Sequence, residues 1–206
     1  MDPIEKLASL FEHFPGIGPR QANRFVQYLL GQKSAFRTEL ASMIKELGAH
    51  TGQCTSCFRW YVKSTQDHKQ CGICASASRD RTLLFIVEKD SDIANVERSG
   101  FQGIYFVLGG TIPLAAETPE KYVRIQPLIE HIEKSAAQLK EVILGLSATK
   151  ESDHTRLILT EKLRPLIQKY GIRLSSLGRG LSTGSELEYA DPETIAYAVQ
   201  ARNEAD

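Results

Sequence analysis

Residues 53–75 read Q-C-T-S-C-F-R-W-Y-V-K-S-T-Q-D-H-K-Q-C-G-I-C-A and hold every cysteine of the 206-residue chain. Cys54, Cys57, Cys71 and Cys74 make two C-x-x-C pairs with thirteen residues between them. Two thiolates three positions apart grip one metal ion from a tight turn, and a second pair supplies the other corners of a tetrahedron. Thr55-Ser56 and Gly72-Ile73 are small enough for those turns. The spacing predicts one structural zinc ion, Zn2+. Disulfides are the alternative, but they require an oxidising compartment, and the opening M-D-P-I-E-K-L has no signal-peptide pattern. Four sulfur ligands leave no open coordination position, so the site is expected to build structure and not to react. So short a span depends on its metal for much of its folding free energy. Phe58, Trp60 and Tyr61 are expected as an aromatic mini-core beneath the metal, with base stacking as the other use of such rings.

Upstream, Ile4, Leu7, Ala8, Phe11 and Phe14 recur at helical spacing. F-P-G-I-G-P at 14–19 breaks the stripe, and Ala22, Phe25, Val26 and Leu29 resume it, with Pro19 at a tolerated first-turn position. Two glycines, Gly16 and Gly18, let a backbone approach a phosphate closely, and the following helix offers free N–H groups. Arg20 and Arg24 lie one turn apart beside them. This pattern resembles a helix-hairpin-helix that holds the DNA backbone without reading sequence; the alternative is a helical hairpin that uses Gly and Pro as punctuation. A third amphipathic helix over 34–48, carrying Phe36, Leu40, Met43, Ile44 and Leu47, is expected to serve packing.

Downstream the pattern changes to apolar runs at 82–87, 103–108 and 141–146, with a further strand at 172–176, separated by helices over 91–98, about 125–138 and up to Tyr170. Such alternation predicts a mainly parallel sheet, and ligand crevices of these sheets lie at the carboxyl ends of the strands. Glu88 ends the first run, and Glu151 and Asp153 follow the third. A Gly- and Ser-rich stretch after Arg179 leads to a terminal helix capped by Asp191; it is either a surface loop or an arm that docks on a neighbour. The expected organisation is α+β overall: a DNA-binding region at 1–52, a zinc finger at 53–79, an α/β domain at 80–176, and an arm with its helix at 177–206. Lys+Arg and Asp+Glu balance at 25 each, which excludes a globally basic nucleic-acid binder but not a basic face. No apolar run approaches the roughly 20 residues of a membrane span. The default is a soluble cytoplasmic protein. His50, His68 and His154 are expected as surface or capping residues.

The order of these parts resembles the RecR family of bacterial recombination mediators over essentially the whole chain. The resemblance rests on F-P-G-I-G-P-R at 14–20, the four cysteines, Y-F-V-L-G-G at 105–110 and R-G-L-S-T-G-S-E-L-E-Y-A-D at 179–191. It implies a Toprim α/β domain in a non-catalytic, nucleoid-associated clamp that assembles as a ring of four. Such a clamp cooperates with RecO, and in many bacteria RecF, to load RecA onto single-stranded DNA covered by single-strand-binding protein. On that resemblance Gly16, Gly18, Arg20 and Arg24 take the DNA-contact positions, Cys54, Cys57, Cys71 and Cys74 the zinc positions, and Glu88 the first Toprim acid, while the arm reaches over an adjacent subunit. Two segments depart from the family pattern: T-I-P-L-A-A-E-T-P-E-K-Y at 111–122 and A-T-K-E-S-D-H-T at 148–155.

The competing reading is a Toprim nuclease or primase-like enzyme that holds Mg2+ on Glu88, Glu151 and Asp153. That chemistry needs several carboxylates around a hydrated octahedral ion. Here G-L-S-A at 145–148 puts no acid at the tip of the third strand, and no nucleophile sits in an activating arrangement. The expectation is no enzyme, with the three acids as vestiges or docking points for a basic partner, and at most a weak Mg2+ site.

Overall fold

The computed structural model describes residues 2–63, 69–182 and 184–202; residues 64–68 of the expected zinc finger, His68 among them, and 183 and 203–206 of the expected arm lie outside them. The chain divides into two compact units, Met1–Gly52 and Gln53–Asp206.

The first unit is three helices, α1 (Pro3–Glu12), α2 (Pro19–Gly31) and α3 (Ser34–His50). The α1 start is a capping box. The Asp2 carboxylate accepts from the Glu5 amide at 2.9 Å, and the Glu5 carboxylate accepts from the Asp2 amide at 3.2 Å. Ala8, Ala22 and Val26 are buried together under Leu7, Phe11 and Ile17; small residues at 8 and 22 let α1 and α2 approach closely. Phe11 meets Phe14 and Phe25 edge to face. The third helix departs from expectation. It runs past Gly48 to His50 and buries none of its side chains. Met43, Ile44 and Leu47 are all exposed, so its apolar stripe is present but uncovered. Arg37 ties its start to the end of α2, donating to the Leu29 and Gln32 carbonyls.

The division falls within β1 (Thr51–Gln53), which forms a two-stranded sheet with β2 (Trp60–Val62), and the single turn α4 (Gly72–Ala75) comes next. A four-stranded sheet follows, built from β3 (Asp80–Val87), β4 (Gly103–Val107), β5 (Glu141–Leu144) and β6 (Arg173–Ser176) in the order β4-β3-β5-β6, every pair parallel. Parallel neighbours need crossovers, supplied by α5 (Asp90–Arg98), α6 (Ile125–Ser135) and α7 (Lys150–Tyr170). Side chains alternate across the pleat. Leu84, Ile86, Ile104, Phe106, Val142 and Leu144 therefore face α6 and α7, burying Leu128, Ile132, Leu159 and Leu163. Phe85, Val87, Tyr105 and Val107 face the other way, onto Ile93 of α5. Each such side chain contributes about 1.5–3 kcal/mol by leaving water. Both faces of the sheet are covered, as the alternation of strand and helix predicts.

Gly145 and Gly109 are among the glycines that space or conformation requires here. Gly145 follows β5, where an added Cβ would stand 1.8 Å from the Phe85 ring. Gly109, at φ +97, turns the chain out of β4 beneath the Arg124 guanidinium. Beyond β6, α8 (Pro192–Gln200) starts where Asp191 accepts from the Thr194 amide at 2.9 Å, as the sequence predicts.

Candidate metal centre and nucleic-acid interface

The four cysteines are free thiols, all buried, and their Sγ atoms lie within 4.8 Å of one another. Cys57 and Cys71 are 3.7 Å apart, sulfur to sulfur. Four bonds of about 2.3 Å around a tetrahedral ion require sulfur edges of about 3.8 Å, whereas a disulfide requires about 2.05 Å. The donor set fits a tetrahedral, thiophilic metal and not two disulfides. Local backbone bonds build each knuckle. The Cys54 amide donates to the Arg59 carbonyl at 2.8 Å, the Phe58 amide to the Cys54 carbonyl at 2.9 Å, and the Ala75 amide to the Cys71 carbonyl at 3.0 Å. The knuckles are tied together where the Thr55 amide and hydroxyl both donate to the Lys69 carbonyl, at 3.0 and 3.1 Å. With only protons to share, the sulfurs split. Hydrogen bonds from Cys57, then Cys71 and Cys74, hold Cys54 far below the usual thiol range, while Cys57 and Cys74 are pushed far above it, first by their bonds to Cys54. A divalent cation bound here would resolve that conflict by making all four thiolates, with release of protons.

The aromatic cluster of this segment divides. Tyr61 packs on the cysteines, and Phe58 packs against both faces' clusters of the sheet, whereas Trp60 is exposed. Phe58 is the one non-glycine at positive φ among the described residues, +62. It meets Phe106 edge to face at 5.4 Å and carries the Arg124 guanidinium over its ring at 5.1 Å. Beside it the Cys57 carbonyl accepts from the Val107 amide at 2.9 Å, which fastens the metal knuckle to edge strand β4. His131 of α6 packs at 5.6 Å from Phe106, and burial depresses its imidazole below the usual range.

In the first unit, Gly16 takes φ +75 and Gly18 is the N-cap of α2, with no side chain capping the helix start. A Cβ on either glycine would meet nothing within 4 Å. Gly16 answers to its backbone conformation, but no atom of the described residues demands a glycine at Gly18. Ala22 and Val26 face inward, so Arg20 and Arg24 fall on the exposed side of α2. Neither makes an ion pair with a described residue.

The three Toprim-type acids are not brought together. Glu88 is 6% exposed. Its carboxylate accepts from the Ser147 amide at 2.8 Å and hydroxyl at 3.0 Å, and from the Ser152 hydroxyl. Asp153, in the first turn of α7, is gripped by both terminal nitrogens of Arg179 and by Arg156 at 2.9 Å. The Arg179 hydrogen bonds hold its carboxyl below the usual range, so this pair's stabilisation is present above the ordinary carboxylate pKa and is lost as pH falls through the lower folded value. Glu151 is exposed. Among the described residues, the cysteines are the only three or more possible ligands so grouped. The expected weak Mg2+ site is therefore not assembled: serines occupy Glu88 and arginines occupy Asp153. Sequence reading missed Ser147, Ser152 and Arg179 in these roles. The available signal was serine at the tip of the third strand, where an acid was sought.

Residues 83–177 match the Toprim domain family, and residues 180–203 match the RecR C-terminal family. A recombination protein RecR of Herpetosiphon aurantiacus is 38% identical over 205 residues, covering 98% of this chain and 95% of that protein. The chain belongs to the RecR family. Other members, the recombination proteins RecR of Chloroflexus aggregans and Prochlorococcus marinus, are 35% and 34% identical over 98% and 97% of this chain and 94% and 95% of their own. No helix among the described residues of this RecR family member is long and apolar enough to cross a membrane.

Proposed function

We propose that this RecR family member is a DNA-binding clamp of recombinational repair and not an enzyme. Residues 1–52 hold DNA through the Gly16 and Gly18 hairpin with Arg20 and Arg24. Residues 53–79 are a zinc finger on Cys54, Cys57, Cys71 and Cys74, residues 80–176 the Toprim domain, and residues 177–206 an arm that reaches a neighbouring subunit. The single observation that carries the DNA contact is the open start of α2, which no side chain caps: Gly18 has free space above it, and the guanidinium groups of Arg20 and Arg24, unpaired among the described residues, flank it. A phosphate diester fits there, because the helix N-terminus and both arginines attract it and nothing excludes its approach.

Arg20 and Arg24 give one electrically neutral subunit only a weak site. Four copies around a hole, the proposed ring, present the same grip repeatedly to one nucleic acid and turn weak contacts into avidity. On this reading the clamp cooperates with RecO, and with RecF, to load RecA at single strands covered by single-strand-binding protein, in the cytoplasm at the nucleoid. Glu88 and Asp153 are vestiges of a metal site, engaged within the chain, and exposed Glu151 is the acid free for a basic partner.

The test is a DNA-binding titration by fluorescence anisotropy at several salt concentrations. Arg20→Ala with Arg24→Ala is expected to lower affinity for every sequence equally. It should also flatten the slope of log affinity against log salt by about 2 per engaged subunit, with the melting curve unchanged. Wild-type affinity at matched salt in that double variant would remove the hairpin from the interface.

A further inference from the structure

Residues 177–202 leave the sheet after β6 and come back across the start of α7. None of the described residues in this segment is buried. Among the described residues, the only hydrogen bonds that join it to the rest of its unit are the two that Arg179 makes to Asp153. The two side chains are 17% and 32% exposed, so water reaches the pair but does not surround it. Within the segment, contacts are tighter. The Tyr197 ring lies 5.1 Å from the Arg179 guanidinium, and a Cβ on Gly180 would stand 3.6 Å from the Ala198 Cα. Between the segment and α7 is a cavity of about 680 Å³, lined by Lys150, Asp153, Arg179, Asp191, Glu193 and Tyr197. The junction is lined by polar and charged side chains, and no described side chain of the segment is buried in it.

We propose that the C-terminal segment is a detachable strap fastened by one ionic clasp, Arg179 on Asp153. Arg179 and Tyr197 move as one piece, so opening the clasp frees α8 together with the loop while the four-stranded sheet stays folded. The physical reason is the asymmetry of the attachments. Side chains that leave water hold the sheet together, and the screening of charge by salt does not weaken them. The strap hangs on a charge pair that salt screens, since the Debye length is about 8 Å at physiological ionic strength. A segment with no buried side chain belongs to the low-stability end of a fold and opens locally. The groups facing Asp153 from every side are Arg156 on its own helix, Arg179 and Lys150, against the acids Asp191 and Glu193 across the cavity.

Hydrogen–deuterium exchange on the full chain tests the clasp. Arg179→Gln is expected to speed exchange across α8 by roughly 3- to 10-fold, the range of a charge-assisted bond that is partly screened, with β3, β4 and β5 unchanged. Asp153→Asn should do the same, and the two together should add little, since they break one contact. Added salt should speed α8 exchange in the wild type and not in either variant. Unchanged α8 exchange in Arg179→Gln, or equal loss of protection in the sheet, overturns the clasp. Where the freed strap goes rests on the ring reading above, and a separate arm of the experiment isolates it. Arg179→Asp and Asp153→Arg chains are mixed and weighed by sedimentation. Assembly regained in the mixture places the clasp between copies. Assembly regained only when both changes are in one chain keeps the clasp within the chain and defeats the neighbour-reaching arm, while the clasp itself stands.

Discussion

At the scale of single residues, Phe58 bears the sharpest conflict in the chain. A left-handed backbone costs an L-residue roughly 1–2 kcal/mol, and Phe58 sits at φ +62 in the knuckle turn, where its amide donates to the Cys54 carbonyl and its ring contacts Phe106 and Arg124. Two substitutions separate the terms. Phe58→Ala loses the packing and keeps the strain, about 3 kcal/mol or more. Phe58→Gly loses the same packing but relieves the strain, so it should be the less destabilising by about 1 kcal/mol. Urea unfolding of the metal-loaded protein measures both, and equal losses would mean that the backbone there is unstrained. This tension was invisible in the sequence, because a phenylalanine beside a C-x-x-C pair reads as ordinary core. The cysteine cluster was legible because its chemistry depends on short spacing. The serines around Glu88 were not, since they lie 59 and 64 positions away and only folding sets them against it.

At the scale of elements, the strands and crossovers were readable because buried parallel strands are continuous apolar runs, and the starts of α2 and α8 because proline and a capping aspartate mark them. The helix α3 shows the limit of the same reasoning: periodicity identifies an apolar stripe but not what covers it. The two metal knuckles have almost no apolar mass of their own, as Cys54, Cys57, Cys71 and Cys74 make up the buried cluster with Tyr61 and Ile73 against it. Removing the ion should therefore melt this element first. Dialysis against a strong chelator, with metal loss confirmed by mass spectrometry, is expected to lower the thermal midpoint of the second unit, and Cys71→Ser should reproduce it; an unchanged curve in fully stripped protein would show that the thiols alone hold the knuckles. Zinc content per chain identifies the ion in the same measurement.

At the scale of the whole molecule, the sheet is that of a Toprim domain, and two of its acids are engaged within the chain. A phosphoryl-transfer site needs carboxylates pointing at one hydrated ion, and here Glu88 is closed by Ser147 and Ser152 while Asp153 is closed by Arg179 and Arg156. Labelled single- and double-stranded DNA incubated with the protein and Mn2+ or Mg2+ should be recovered uncut and unextended. Cleavage or synthesis that disappears in Glu88→Ala would restore the enzyme reading. A neutral chain, with 25 basic and 25 acidic residues, does not draw DNA by its overall charge, so any affinity it has is a matter of where the arginines are placed and how many copies act together.

The bond from the Val107 amide to the Cys57 carbonyl has a consequence for a chain whose cysteines hold no metal ion. Strand β4 is the outermost strand on its side of the sheet, and an uncovered outer strand offers its backbone to any other extended chain. A protomer stripped of its ion would lose that lid and offer a sticky border of Ile104, Tyr105, Phe106 and Val107, so metal starvation should reveal itself as insoluble protein before it reveals itself as lost repair.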